Sequence, residues 1–242
     1  MKKLMKNGLD APLVPILYIL AGLIALLFVA VFHQYDGYLW TIGYGVLMIL
    51  GGVIFINTST RGKKKIWSSI INSELSQSSY HVLDLGTGHA SVLLQMSDKL
   101  SSTKKSMGID IWNSDDQSNN GIEATEAIIQ ENDLAGQVDI KTADMRSLPS
   151  GDGEYDLVVS SLAFHNIKPK IERKRALLEA VRVLGHDGKL IIVDTGHNKR
   201  EYAEVLNQAG MDSINVKTYG MNGWWTGPWM ATYLVMASKK QN

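Results

Sequence analysis

The chain has no cysteine among its 242 residues. Disulfides, thiolate metal sites and cysteine nucleophiles are therefore excluded together, and redox chemistry does not fix the compartment. Net charge is missing as well, since 24 lysines and arginines balance 24 acids. Without a global basic field, nothing in the composition points to nucleic acid as a partner. The six histidines and scattered carboxylates show no HxxxH or similar spacing, so a metal site has no support. There is also no internal repeat and no low-complexity tract.

What is present is unevenly placed. Residues 11–32, APLVPILYILAGLIALLFVAVF, carry no charge, and at about 1.5 Å per residue such a run spans a hydrocarbon layer of roughly 30 Å. Residues 38–56, YLWTIGYGVLMILGGVIFI, repeat the pattern, with Tyr38 and Trp40 at the end where interfacial aromatics belong. Only HQYDG separates them, so the two helices are expected to form an antiparallel hairpin. A signal peptide would be shorter in its apolar part and would not lead straight into a second span. Lys2, Lys3 and Lys6 precede the first run, Arg61, Lys63, Lys64 and Lys65 follow the second, and the loop has neither residue type. Positive charge on both outer flanks places both termini in the cytoplasm of a two-span plasma-membrane protein. Gly43, Gly45, Gly51 and Gly52 allow close helix approach, within the hairpin or with a second copy.

From residue 61 the texture changes. A basic and amphipathic stretch, 61–79, has Ile66, Trp67, Ile70, Ile71 and Leu75 at helical spacing. Beyond it, over 80–242, short apolar runs alternate with helical patterns, as in a parallel sheet built from βαβ units. HVLDLG, KSMGIDIW, QVDIKTAD, YDLVVSSLAF and GKLIIVDT read as five strands, with DSINVKTYG and ATYLVMASK after them. Ile171, Leu178, Val181 and Leu184 mark one helix face that Gly185 is expected to end, and Tyr202, Val205, Leu206 and Ala209 mark another, closed by Gly210. The predicted fold is α/β, a Rossmann-like seven-stranded, mostly parallel sheet with helices on both faces, behind an N-terminal two-helix hairpin.

The chemistry starts at VLDLGTGHA. A strand ending in Asp84 and followed by Gly86, Thr87 and Gly88 makes a tight turn at the carboxyl edge of the sheet, where a ligand approaches the main chain. Position 91 is serine, so the third glycine of a dinucleotide fingerprint is missing. Asp110 ends the next strand and Asp144 follows the third. Three carboxylates at successive strand ends suit a ligand with an ammonium group, a ribose and an adenine, and would repel a pyrophosphate. Taken singly, each acid could equally be a cap or a solvated turn residue.

This ordered set, Asp84-Leu85-Gly86-Thr87-Gly88, Asp110, Asp144 and VRVLGHDGKLIIVD, resembles the motifs of class I S-adenosylmethionine-dependent methyltransferases over roughly residues 75–240. The resemblance implies S-adenosylmethionine as cofactor, with Asp84, Gly86, Thr87 and Gly88 at its methionine end, Asp110 and Ile111 at the ribose, and Asp144 with Met145 at the adenine. Thr87 and His89-Ala90 depart from the Cys or Ser and the Gly found in many members. A membrane hairpin joined to such a domain is similar to bacterial membrane-anchored methyltransferases.

After the fourth strand, SSLAFHNIKP brings Ser160, Ser161, His165 and Asn166 to the switch point, Ser160 on the cofactor side. His165 is the candidate proton acceptor and, with Asn166, a candidate acceptor-binding residue, although a His-Asn pair also serves as loop scaffold. His197 is a weaker second candidate. Methyl transfer is direct displacement at a sulfonium carbon, so alignment alone can supply most of the acceleration. Trp224, Trp225 and Trp229, in GMNGWWTGPW between the last two strands, are expected to overhang the site as an apolar wall, a cation–π cover or a bilayer contact; core packing is the plainer alternative.

The sequence thus predicts a membrane-anchored methyltransferase acting on a small, apolar or lipid-like acceptor, with the bilayer as partner. A cofactor-binding domain without turnover and a nucleotide-dependent oxidoreductase are the other classes. Nucleic-acid methylation is disfavoured by the neutral charge and by the lack of an Asn-Pro-Pro-Tyr or Asp-Pro-Pro-Tyr motif.

Overall fold

The computed structural model describes residues 10–113 and 120–239. It opens with two 20-residue helices, α1 (Leu13–Phe32) and α2 (Tyr38–Asn57), joined through Gly37, whose φ of 90° no β-carbon tolerates easily. By length and composition both could cross a membrane. They pack tightly on each other because their glycines meet. A β-carbon on Gly22 would fall 2.6 Å from the Gly45 carbonyl oxygen, and one on Gly52 2.7 Å from Ile19. The outward faces hold Leu17, Ile24, Leu27, Leu39, Trp40 and Leu47, each more than 60% exposed. Water would oppose such a surface and hydrocarbon would accept it.

The second helix does not stop where its apolar run ends. A single π turn, Thr58–Gly62, carries it into α3 (Lys63–Glu74), so that one helical shaft runs unbroken for 37 residues from Tyr38 to Glu74. Ile66, Trp67, Ile70 and Ile71 are buried along α3 and pack with Val92, Leu93, Val159 and Ile191 on one face of the sheet. Truncating a side chain as enclosed as Trp67 costs about 3–5 kcal/mol. The amphipathic stretch thus packs on the α/β domain through α3.

The seven strands run in the order β3-β2-β1-β4-β5-β7-β6. They are β1 (Val82–Leu85), β2 (Ser106–Asp110), β3 (Val138–Thr142), β4 (Tyr155–Ser161), β5 (Leu184–Asp194), β6 (Met211–Thr218) and β7 (Tyr233–Lys239). Only β7 is antiparallel to its neighbours, β5 and β6, as the pattern of the last two strands requires. β1 pairs with β2 on one side and β4 on the other, which puts the reversal of strand order at the end of β1. The helices between strands are α4 (Ser91–Gln95), α5 (Ile122–Glu131), α6 (Lys170–Val183) and α7 (Lys199–Gln208). Opposite α3, the second face of the sheet is covered by α6 and α7 through Ala176, Leu177, Ala180, Tyr202 and Leu206.

One predicted face needs correction. Ile171 and Leu178 are 66% and 41% exposed, whereas Ala176, Leu177, Ala180 and Val181 are buried. The stripe is displaced because Arg173 belongs to it, paired with Glu201 of α7 at 2.9 Å and bonded to the Ile167 carbonyl. Gly185 does not end α6 either, since β5 begins at Leu184 directly after Val183.

Candidate active site

β1 delivers its carboxyl end into a turn that only glycine can make. Gly86 has φ +73°, and a β-carbon there would overlap that of Ala163 on the loop after β4. The amides of Gly86 and Thr87 both donate to the Ile109 carbonyl at 2.9 Å, which locks the turn to β2. Asp84 sits beneath it, 1% exposed. The Thr87 hydroxyl donates to Asp84 Oδ2 at 2.8 Å, while Oδ1 has no hydrogen-bond partner. Burial pushes the Asp84 carboxyl up to about 7, against the pull of the Thr87 hydrogen bond and with a smaller push from Asp110.

Asp110 closes β2 on the neighbouring side. Its carboxylate accepts the amides of Gly88 at 2.9 Å and Trp112 at 2.7 Å, which leaves further lone pairs on both oxygens for hydroxyl donors. Asp144, after β3, is gripped by Arg146, whose Nε lies 2.8 and 3.0 Å from the two carboxylate oxygens. The Arg146 hydrogen bonds hold Asp144 below the usual carboxylate range. Arg146 also reaches Glu172 at 3.3 Å.

These groups share one cavity of about 400 Å³. Asp84, Gly86, Thr87, Gly88, Asp110, Ile111, Asp144 and Met145 all line it, and so does Asn166. Its far wall is Trp67, Lys63 and Asp10. The Trp67 indole N–H donates to Ser161 at 2.9 Å, and Lys63 pairs with both carboxylate oxygens of Asp10 at 2.8 and 3.0 Å. Thus the cavity extends from the glycine turn to the base of the two apolar helices.

Several of the residues singled out from sequence lie elsewhere. Ser160 is fully buried, with its hydroxyl on the Leu85 carbonyl, and braces β4 against β1. Trp224, Trp225 and Trp229 are not on the cavity wall. Trp225 packs edge-on against Phe55 of α2, with ring centres 5.0 Å apart, and the Thr58 hydroxyl donates to the Trp224 carbonyl. Trp229 is 64% exposed. The segment is drawn aside because the end of α2 offers it an apolar flank and a hydroxyl donor.

His165 is next to the cavity rather than on its lining. Its Nδ1 is 2.5 Å from Asp194 Oδ1, at the end of β5. Asp194 is wholly buried and also accepts the Thr195 amide at 2.9 Å and the Tyr202 hydroxyl at 2.8 Å. Burial, and the Asp194 charge after it, raise the Tyr202 phenol far above its ordinary value. This His165–Asp194–Tyr202 chain, like Arg146 and the Asp10–Lys63 pair, was not legible beforehand. The signal was the aspartate that ends KLIIVD, at the same carboxyl edge of the sheet as the ends of β1 and β2. His197 lies outside the cavity lining. Among the described residues, no group of three histidines or acids is placed to hold a metal.

The arrangement fits a nucleoside with a cationic tail: an orphaned buried carboxylate oxygen, a second carboxylate with open lone pairs, and a turn whose missing side chains leave the backbone bare. Residues 83–192 match the family model described as methyltransferase domain. The chain is 27% identical over 113 residues to the ubiquinone/menaquinone biosynthesis C-methyltransferase UbiE of Citrifermentans bemidjiense, covering 47% of this chain and 44% of that one. It thus spans less than half the length of that relative. It is 24% identical over 191 residues to the chloroplastic 2-phytyl-1,4-beta-naphthoquinone methyltransferase of Arabidopsis thaliana, covering 73% and 70%. The fold is shared with a putative sarcosine dimethylglycine methyltransferase from Galdieria sulphuraria, with a TM-score of 0.60 at 14% identity over 76% and 88% of the two chains. The domain built on this sheet belongs to the class I S-adenosylmethionine-dependent methyltransferases, and S-adenosylmethionine is its cofactor.

Proposed function

We propose that the chain is a membrane-embedded enzyme that methylates a small apolar or lipid-like acceptor reaching it from the bilayer. The observation that carries this reading is the extent of the cavity. One end is the glycine turn and its carboxylates; the other is Lys63 and Asp10, where α1 and α2 begin and end. An acceptor dissolved among acyl chains would meet the open side of the cavity without crossing water. Two similar proteins have names that refer to quinones, one of them carrying a phytyl chain, in line with such an acceptor. The basic residues that flank the helices favour a plasma-membrane protein with both termini and the catalytic domain on the cytoplasmic side.

In this reading Asp84 holds the cofactor's ammonium group, Asp110 the ribose hydroxyls, and Met145 and Asp144 flank the adenine. S-adenosylmethionine, when bound, supplies a methyl group on a sulfonium. The protein's work is alignment and exclusion of water, with Trp67, Ala163 and Asn166 bordering the acceptor. His165 takes the proton that the acceptor must lose. With its Nδ1 hydrogen on Asp194, the ring's lone pair sits on Nε2, and the buried carboxylate stabilises the imidazolium that forms. Asp194 and Tyr202 are positioning residues.

The full chain in proteoliposomes, supplied with labelled S-adenosylmethionine and a membrane-lipid extract, tests the proposal. Label in the organic phase together with released S-adenosylhomocysteine is expected. Transfer only to water-soluble acceptors would refute the apolar acceptor, and cofactor binding with no S-adenosylhomocysteine would refute turnover.

A further inference from the structure

The segment between β6 and β7 follows the side of α2 in steps. The Asn222 carbonyl meets Gly62, where a methyl group would have no room. Two residues on, the Trp224 carbonyl takes the Thr58 hydroxyl. Trp225 then packs on Phe55, and the Thr226 carbonyl lies 3.3 Å from where a β-carbon on Gly51 would be. While the segment advances from 222 to 226, its partners on the helix retreat from 62 to 51. At about 1.5 Å per helical residue this is a descent of roughly 16 Å.

The chain then turns back. The amide of Trp225 donates to the Met230 carbonyl at 2.9 Å, Met230 to Gly227 at 3.3 Å, and Thr232 to Gly223 at 2.7 Å. The tip is Thr226-Gly227-Pro228-Trp229. Pro228 has no N–H, the Gly227 carbonyl takes the Met230 amide, and the Trp229 indole donates to the Thr226 hydroxyl at 3.0 Å while folding over Gly227. Pro228, Trp229 and Met230 face outward.

The polar boundary is marked by Asp10, Ser59 and Lys63, which are joined by hydrogen bonds of 2.7–3.0 Å. Ile56 is the last apolar residue before that boundary, and Gly51 lies five residues deeper, about 7.5 Å along the helix. Interfacial elements rest about 5–10 Å deep, at the edge of the acyl region. We infer that the 226–229 turn dips into the leaflet that receives the ends of α1 and α2, with lipid as its occupant. The inference rests on the membrane reading of those helices. The exposed turn continues their apolar surface, and Arg61, Lys64 and Lys65, exposed above it, suit anionic head groups.

Because the chain lacks cysteine, one thiol can be introduced and spin-labelled. Trp229→Cys and Pro228→Cys report on the tip, and Lys141→Cys on an exposed aqueous position. Each full-length variant is reconstituted in vesicles of equal parts phosphatidylcholine and phosphatidylglycerol, with S-adenosylmethionine binding as the check on folding. Labels at 228 and 229 should relax with oxygen and be shielded from a water-soluble nickel chelate, with the opposite result at 141. Nickel access at both tip positions equal to that at 141 overturns the inference. Shielding from both reagents also overturns it, because a second copy or another protein would then be the occupant. An alkaline carbonate wash separates the two levels. If the protein washes off, the membrane reading falls and the inference with it; if it stays while nickel reaches the tip, only the inference falls.

Discussion

Thr87 donates its hydroxyl to one oxygen of Asp84 at 2.8 Å and leaves the other buried with no partner. A carboxyl in this state is protonated more readily than in the unfolded chain, as its rise to about 7 expresses. Between pH 4 and 7 the folded protein holds a proton that the unfolded chain has released, so this group makes the ligand-free protein less stable as pH rises through that window. Binding of an ammonium group has the opposite dependence, because it needs the carboxylate. Affinity for S-adenosylmethionine should climb by up to about tenfold per pH unit toward 7 and level off above it. Calorimetry from pH 5.5 to 8.5 measures the slope; Asp84→Asn should weaken binding and flatten the curve, and a flat curve in the unaltered protein would contradict the assignment.

Asp110 is held in place by two backbone amides, so its removal should not disturb β2 far from the ligand. Asp110→Ala should cost about 3–6 kcal/mol of cofactor affinity, the worth of a pair of hydrogen bonds to a charged group. Equilibrium dialysis with labelled S-adenosylmethionine gives the number, and a loss under threefold would separate Asp110 from the ribose.

Gly86 cannot accept a side chain. Gly86→Ala combines a φ of +73° with overlap against Ala163, and backbone strain alone is about 1 kcal/mol or more. Cofactor binding should vanish while the circular dichroism of the sheet and helices persists. Retained affinity would mean that the turn is not the methionine site.

Asp194 is expected to act through His165. Asp194→Asn should lower kcat by about 10- to 100-fold and shift the acid limb of the pH–rate profile, because it removes the charge behind the imidazole. S-adenosylmethionine affinity should be unchanged. Equal rates and an unmoved pH profile in His165→Gln and in the unaltered enzyme would leave alignment as the whole of catalysis.

Trp225 is 5% exposed and sits on Phe55, so it couples the sheet's last connection to α2. Trp225→Ala should remove about 3 kcal/mol or more and lower the melting temperature of the reconstituted protein by several degrees. Gly62→Ala, which collides with the Asn222 carbonyl, should do the same without opening a cavity. No change in either variant would mean that the contact carries no energy.

The strands were legible because each is a short apolar run ended by a turn or an acid, and the three cavity carboxylates because each stands at or just beyond the carboxyl end of a strand. What escaped depends on partners distant in sequence. Asn57, Thr58, Ser59, Thr60 and Gly62 are poor helix formers, so the end of α2 looked like a boundary, yet Asp10, Trp224 and Asn222 hold it helical. Arg173 hid the buried stripe of α6 because its charge is matched only on α7. The tryptophans were assigned to the catalytic edge from topology alone; the flank of α2 that they occupy becomes visible only once the shaft is known to continue upward.

That shaft sets a height. In the proposed membrane setting, a sheet packed on an unbroken helix from Tyr38 to Glu74 would hold its cavity at one elevation above the bilayer midplane. An enzyme so placed would read its acceptors as a gauge reads length, methylating the atom that floats at that level. A full extra turn inserted between Gly62 and Ile66 would lift the cavity by about 5.4 Å and select a different atom, or none.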